Sequence, residues 1–148
     1  MAKITVDPGH GRYGNPYPPR KGFYEGTQMW KLANFLKPEL EKYGFQVKTT
    51  RPKVTDDPAL SARGKMAAGC DLIISLHSNA PAKRDDTKPT GSVIYRTIET
   101  PGIKPLCDKI GQRISEIIGH HYRGTMVKES GSRPGKNYNG VLRSAMAA

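Results

Sequence analysis

Two histidines and one glutamate have the residue types and placement to hold a metal ion. His10 follows the short β-branched run Ile4-Thr5-Val6 and stands where Asp7-Pro8-Gly9 turns the chain. His77 ends the longer apolar run Leu72-Ile73-Ile74-Ser75-Leu76 and is followed by Ser78-Asn79-Ala80. Working groups in open α/β sheets sit just past the carboxyl ends of strands. A lone histidine in a turn is usually structural, but two strands that each end in one change the reading. As parallel neighbours they would carry both imidazoles to one rim, and neutral imidazole is a common zinc ligand. The third group, Glu25, lies one helical turn before Met29, at the start of an apolar stripe. A carboxylate on the inward face of a helix is costly unless neutralised. Two histidines and a cation would neutralise it; a frayed first turn favoured by the helix dipole is the plainer alternative.

The elements that must position these groups are readable from periodicity. Ile4–Val6 and Leu72–Leu76 read as strands, the second as one buried on both faces of a parallel sheet. Met29, Leu32, Ala33, Leu36, Leu40 and Tyr43 recur at helical spacing, with Pro38 expected to kink or end the helix and Gly44 to close it. Phe45–Thr49 alternates as a half-exposed strand. Asp57-Pro58 reads as an N-cap and first helical position, and Leu60, Gly64, Ala67 and Ala68 as a small-residue stripe ending at Gly69. Gly91–Tyr95 reads as another strand. Thr100-Pro101 opens a helix with a core face of Leu106, Ile110, Ile114, Ile117 and Ile118, stopped by Gly119. This alternation predicts an α/β fold: one domain over residues 1–148, with a mostly parallel twisted sheet and helices on both faces.

Val6-Asp7-Pro8-Gly9-His10-Gly11, Tyr24-Glu25-Gly26, Leu60 through Arg63 and Ser75-Leu76-His77-Ser78-Asn79-Ala80 resemble the zinc-dependent N-acetylmuramoyl-L-alanine amidases, the peptidoglycan hydrolases of bacterial autolysins and phage endolysins. The resemblance runs over almost the whole chain. It implies that His10, Glu25 and His77 bind one Zn2+, that Arg63 and Asn79 are candidate substrate contacts, and that peptidoglycan is the partner. For Arg63 the favoured role is the structural one, tying its helix to the sheet. The implied reaction is hydrolysis of the amide between N-acetylmuramic acid and L-alanine of the stem peptide. The sequence departs from the family at its C-terminal end. The family's second, catalytic glutamate lies on a late strand, and Gly140-Val141-Leu142-Arg143 resembles only the approach to it. Ser144–Ala148 reads as the opening of a helix. The expectation is therefore a chain that lacks the family's last strand and general base, placed beyond Ala148, and that is weakly active or inactive. Glu99, Glu116 and Glu129 match no motif position.

Composition narrows the alternatives. The chain holds 24 Lys and Arg against 13 Asp and Glu, a formal charge of +11. That balance suits polyanions. The basic residues are dispersed and no reading helix is evident; anionic wall polymers suit the same charge, and net charge alone does not decide between them and nucleic acid. No apolar run approaches the roughly 20 residues of a membrane span. Met1-Ala2-Lys3 leads straight into the first strand, so the expectation is cytoplasmic synthesis without a signal peptide, action on the cell wall, and a possible wall-binding domain downstream. Cys70 and Cys107 read as free core thiols. His120-His121 follows a helix end and is read as non-ligating. The Gly11–Gly22 loop, rich in Pro and Tyr, is a candidate groove wall, Pro81–Thr90 a rim loop, and Ser130–Asn139 a loop of low order. Two rival readings remain: a metal-containing wall-binding module without catalysis, and a basic nucleic-acid-binding domain without metal.

Overall fold

The computed structural model describes residues 1–17, 21–78 and 91–147, and their contacts divide into two compact units. The first comprises Met1–Ser78 and Gly140–Ala148, the second Asn79–Asn139.

The first unit is built on a parallel sheet of order β2-β1-β3, with β1 at Lys3–Pro8, β2 at Gln46–Thr49 and β3 at Leu72–Leu76. Val6 lies opposite Thr49 on one side and Ile74 on the other. Five of the six β1 residues are buried, because strand alternation serves two covered faces. Ile4 and Val6 join Val47 and Ala33 of α1 (Glu25–Lys42) in the apolar core, with Leu36 and Leu40 alongside. Thr5 and Asp7 face the other way, into a polar interior. Thr50 and Ser75 donate hydroxyl hydrogen bonds to Asp7, and Arg63 of α2 (Leu60–Met66) approaches the same carboxylate at 3.6 Å. On α2, Gly64 lies against Val141, Ser144 and Ala145 of α4 (Gly140–Ala145), which a Cβ would displace.

Several expectations are corrected here. Helix α1 runs through Pro38 for another turn and stops at Gly44, whose φ of +83° suits glycine. Proline forfeits one backbone bond, and packing on β1 and β2 keeps the helix going. Its stripe is only partly internal: Ala33 is buried, whereas Leu32 and Tyr43 are exposed. Helix α2 begins at Leu60 after Ala59, so Asp57 is not its cap. The Asp57 carboxylate pairs with Arg63 at 2.9 Å instead.

In the second unit, β4 (Ser92–Arg96) pairs in parallel with β5 (Tyr122–Val127), a strand that went unread in the sequence. Helix α3 (Lys104–Ile118), preceded by a 3-10 turn at Pro101–Ile103, packs on both strands. Its buried residues are Cys107, Gly111 and Ser115, while Leu106, Ile110, Ile114, Ile117 and Ile118 are exposed. The face expected in the core is therefore outside it. The reason is steric: Gly111 lets the Tyr122 ring lie directly on the helix, and Ser115 meets the Ser92 hydroxyl at 2.5 Å. Ser130–Asn139, read as a loop, is a hairpin instead: β6 (Glu129–Ser130) pairs antiparallel with β7 (Arg133–Asn137). The buried Asn137 ties it to Ile98 N and Glu99. Both cysteines are free. No helix among the described residues is long and apolar enough to cross a membrane.

Candidate metal centre

The parallel register of β1 and β3 brings His10 and His77 together. Asp7 pairs with Ser75 and Pro8 with Leu76, and Gly9 N then donates to Leu76 O at 2.9 Å, so the strands leave the sheet side by side. The two imidazoles meet edge-on, 5.0 Å between centroids. Gly9 makes this possible, since a Cβ there would strike the His77 ring. Glu25 enters from the first residue of α1, and Gly26 behind it lies so close to Gly11 O that any side chain would collide.

The three side chains converge. One ligand atom from each of His10, Glu25 and His77 lies within 4.8 Å of the others. His77 Nδ1 is 3.2 Å from Glu25 Oε1, and His10 Nε2 is 3.5 Å from Oε2. Glu25 is 2% exposed, yet no lysine or arginine among the described residues pairs with it. Its neutral partners are Ser78 N–H at 2.7 Å and the Asn15 side-chain amide. Burial pushes the Glu25 pKa up, but hydrogen bonds from His77 and Asn15 and the nearby imidazoles outweigh it and hold the carboxyl below its usual range. Burial lowers the His10 pKa, opposed by Glu25 and reinforced by His77. Both shifts favour the forms that ligate metal, a carboxylate and a neutral imidazole. A donor set of two imidazole nitrogens and one carboxylate oxygen fits zinc and leaves a fourth position for water or substrate. His120 and His121 lie in the second unit and form no such cluster among the described residues.

Two non-glycine residues at the site have left-handed backbones, His10 at φ +59° and Asn15 at φ +51°. Such conformations cost about 1–3 kcal/mol each and persist where surroundings enforce them. Here Arg63 grips the turn: it donates to Pro8 O at 2.9 Å, His10 O at 3.1 Å and Pro58 O at 2.8 Å, besides Asp57. Arg63 borders the cleft but is buried, with its guanidinium committed to these partners. Asn79 lies outside the described residues, as does the Pro81–Thr90 loop.

Both histidines open onto a cleft of about 420 Å³, bordered by Gly11, Gly14, Asp57, Pro58, Leu60 and Val141. A neighbouring concavity is bordered by Arg12, Tyr13 and Thr55. The Gly11–Gly22 loop thus supplies a wall through Gly11, Gly14 and the exposed Tyr13, while Tyr17 stacks edge-on with Phe23.

A family model described as N-acetylmuramoyl-L-alanine amidase matches residues 4–147. The chain belongs to that amidase family. Its fold agrees with the crystal structure of N-acetylmuramoyl-L-alanine amidase from Clostridium difficile 630 at a TM-score of 0.76, with 25% identity over 97% of this chain and 74% of that one. No curated protein sequence matches this amidase-family chain significantly. The α/β fold expected from the sequence agrees with this likeness.

Sequence reasoning missed three contributors. Asn15 steadies Glu25, and its only signal was the turn Gly14-Asn15-Pro16. Asp57 was read as a helix cap. Arg51 is 0% exposed and donates to five main-chain carbonyls, with no carboxylate in ion-pair range among the described residues. Burial, with Arg63 close by, depresses its pKa. Nothing in one sequence distinguishes such an arginine from a solvated one.

Proposed function

We propose that this amidase-family chain hydrolyses the amide joining N-acetylmuramic acid to L-alanine in peptidoglycan, with one zinc ion held by His10, Glu25 and His77. The observation that carries the reading is the convergence of two imidazoles on a buried carboxylate that pairs with no lysine or arginine among the described residues. When bound, zinc supplies a Lewis acid for the scissile carbonyl and acidifies a water to a pKa near about 7. The protein's own groups do the rest. Glu25, fixed by Asn15 and Ser78 N–H, orients the ligand set. Gly11, Gly14 and Leu60 border an open cleft of about 420 Å³ beside the two histidines, where a stem peptide is proposed to lie. Asn79 is assigned to substrate contact by its place after His77, whereas Arg63 shapes the cleft by holding its backbone.

A positioned carboxylate that takes a proton from water and passes it to the leaving amine contributes about 100- to 10,000-fold. Among the described residues the cleft offers only Asp7, which is buried, and Asp57, which is paired with Arg63. Turnover by this chain alone is therefore expected to be slow. The same observation favours a second reading, a wall-binding module that keeps metal and groove but not catalysis.

The deciding experiment pairs plasma mass spectrometry of the metal with mass spectrometry of digested muropeptides. One zinc per chain and new free L-alanine termini support the amidase. One zinc with wall binding and no cleavage supports the binding module. No zinc overturns the site.

A further inference from the structure

We infer that Arg51 is a positioning residue for the metal centre, setting the separation between the segments that carry His10 and Glu25. The inference rests on the metal reading above and adds a residue that touches no ligand side chain. Arg51 leaves the end of β2 and turns its guanidinium beneath the site. Its Nη1 donates to Gly26 O at 3.0 Å, Gly9 O at 3.3 Å and Pro8 O at 3.4 Å. Gly9 immediately precedes His10, and Gly26 immediately follows Glu25. One nitrogen therefore spans two chain segments, each a single residue from a ligand. The other donors anchor the guanidinium itself: Nε to Asp56 O at 2.8 Å and Nη2 to Val54 O at 2.9 Å.

The planar fork suits this task. Five N–H groups in fixed directions reach three separate segments at once, whereas a lysine ammonium offers three donors from one point. A fully buried cation is expensive unless its surroundings compensate it. Here the compensation comes from five carbonyl dipoles, three of them on the two ligand-bearing turns, and from the nearby Asp57, Asp7 and Asp56 carboxylates. Loss of the fork frees the Pro8–Gly9 and Gly26 carbonyls to move apart. Because consecutive Cα atoms are about 3.8 Å apart, such movement passes almost undiluted to His10 and Glu25. Arg63 shares the Pro8 carbonyl and adds His10 O but donates to nothing on α1, so the two arginines have different duties.

The test measures zinc affinity by chelator competition and the visible spectrum of the cobalt-substituted protein, for Arg51→Lys and Arg51→Met. Val47→Ala, a core truncation on the same strand, controls for lost stability. Partners outside the ligand set are worth about 10- to 100-fold in metal affinity. That weakening is expected for both arginine variants, with a shifted cobalt spectrum, while Val47→Ala keeps the wild-type constant and spectrum. If Arg51→Met does not fold, Arg51→Lys decides alone, since it retains the charge. Wild-type affinity and spectrum in a folded Arg51 variant overturn the inference. Failure of the wild-type chain to take up zinc overturns the metal reading, and the inference with it.

Discussion

The two units spend their apolar residues differently. In the first, β1 is sealed between α1 on one face and a polar interior on the other, and that interior fixes the turn bearing His10. In the second, α3 buries a thiol, a glycine and a hydroxyl while its leucine and isoleucines face outward. A buried strand gives buried polar groups a low-dielectric setting, where each must be matched and each is costly to lose. The second unit has half-exposed strands and buries fewer such groups, Asn137 and Ser115 among them, each matched by a hydrogen bond. The candidate site sits at the open edge of that buried framework, with Glu25 inside and the two histidines facing the cleft.

Ligand loss breaks the comparison most sharply. His10→Ala and His77→Ala are each expected to weaken zinc binding by more than about 100-fold, the upper range for mere supporting partners. His120→Ala and His121→Ala in the second unit should leave it unchanged, as chelator competition would show.

Glycine substitutions come next. Gly26→Ala forces a methyl into Gly11 O and should cost about 1–3 kcal/mol in urea unfolding, with loss of zinc uptake. Gly102→Ala, which meets nothing, should be near neutral. Equal costs at the two positions would show that the Glu25 turn is looser than its contacts require.

Truncating apolar side chains sharpens the contrast further. Val6→Ala removes two methyls from a site with no exposure and should cost about 1.5 kcal/mol. Ile117→Ala, 69% exposed, should stay within about 0.5 kcal/mol. Both are read from chemical denaturation midpoints.

The smallest effect is acid sensitivity of the metal-free chain. The folded pKa of His10 lies below its ordinary 6.5, so the unfolded chain binds the proton first. The His10 contribution is intact above pH 6.5 and declines as pH falls through the folded value. The Glu25 carboxyl, held below its ordinary 4.5, acts in the same direction at lower pH. The urea midpoint should fall between pH 7.5 and 5.5, and His10→Gln should flatten that slope.

How much of this was legible in the sequence differs between the units for a physical reason. Ile4–Val6 and Leu72–Leu76 are strands whose buried pattern is written in consecutive β-branched and apolar residues. Their shared carboxyl end follows from parallel pairing. The α3 stripe has an equally clear period, yet Gly111 and Ser115 draw Tyr122 and Ser92 to the opposite face. Periodicity reports that a helix has an apolar side; it does not report which side finds a neighbour. The hairpin β6–β7 escaped notice because Arg133-Pro134-Gly135-Lys136 has no strand propensity, and Asn137 holds it through polar bonds.

By itself the sequence determined the residues proposed as ligands, their order along the chain, and the strand ends and helix start that carry them. Those are local properties, set by β-branching, turn residues and helical spacing. Only the tertiary structure decided that Glu25 faces both imidazoles, that Arg63 grips the His10 turn, and that Arg51 joins that turn to the start of α1. These contacts link residues 15 to 55 positions apart, and their geometry depends on sheet register and helix packing that no short stretch of chain encodes.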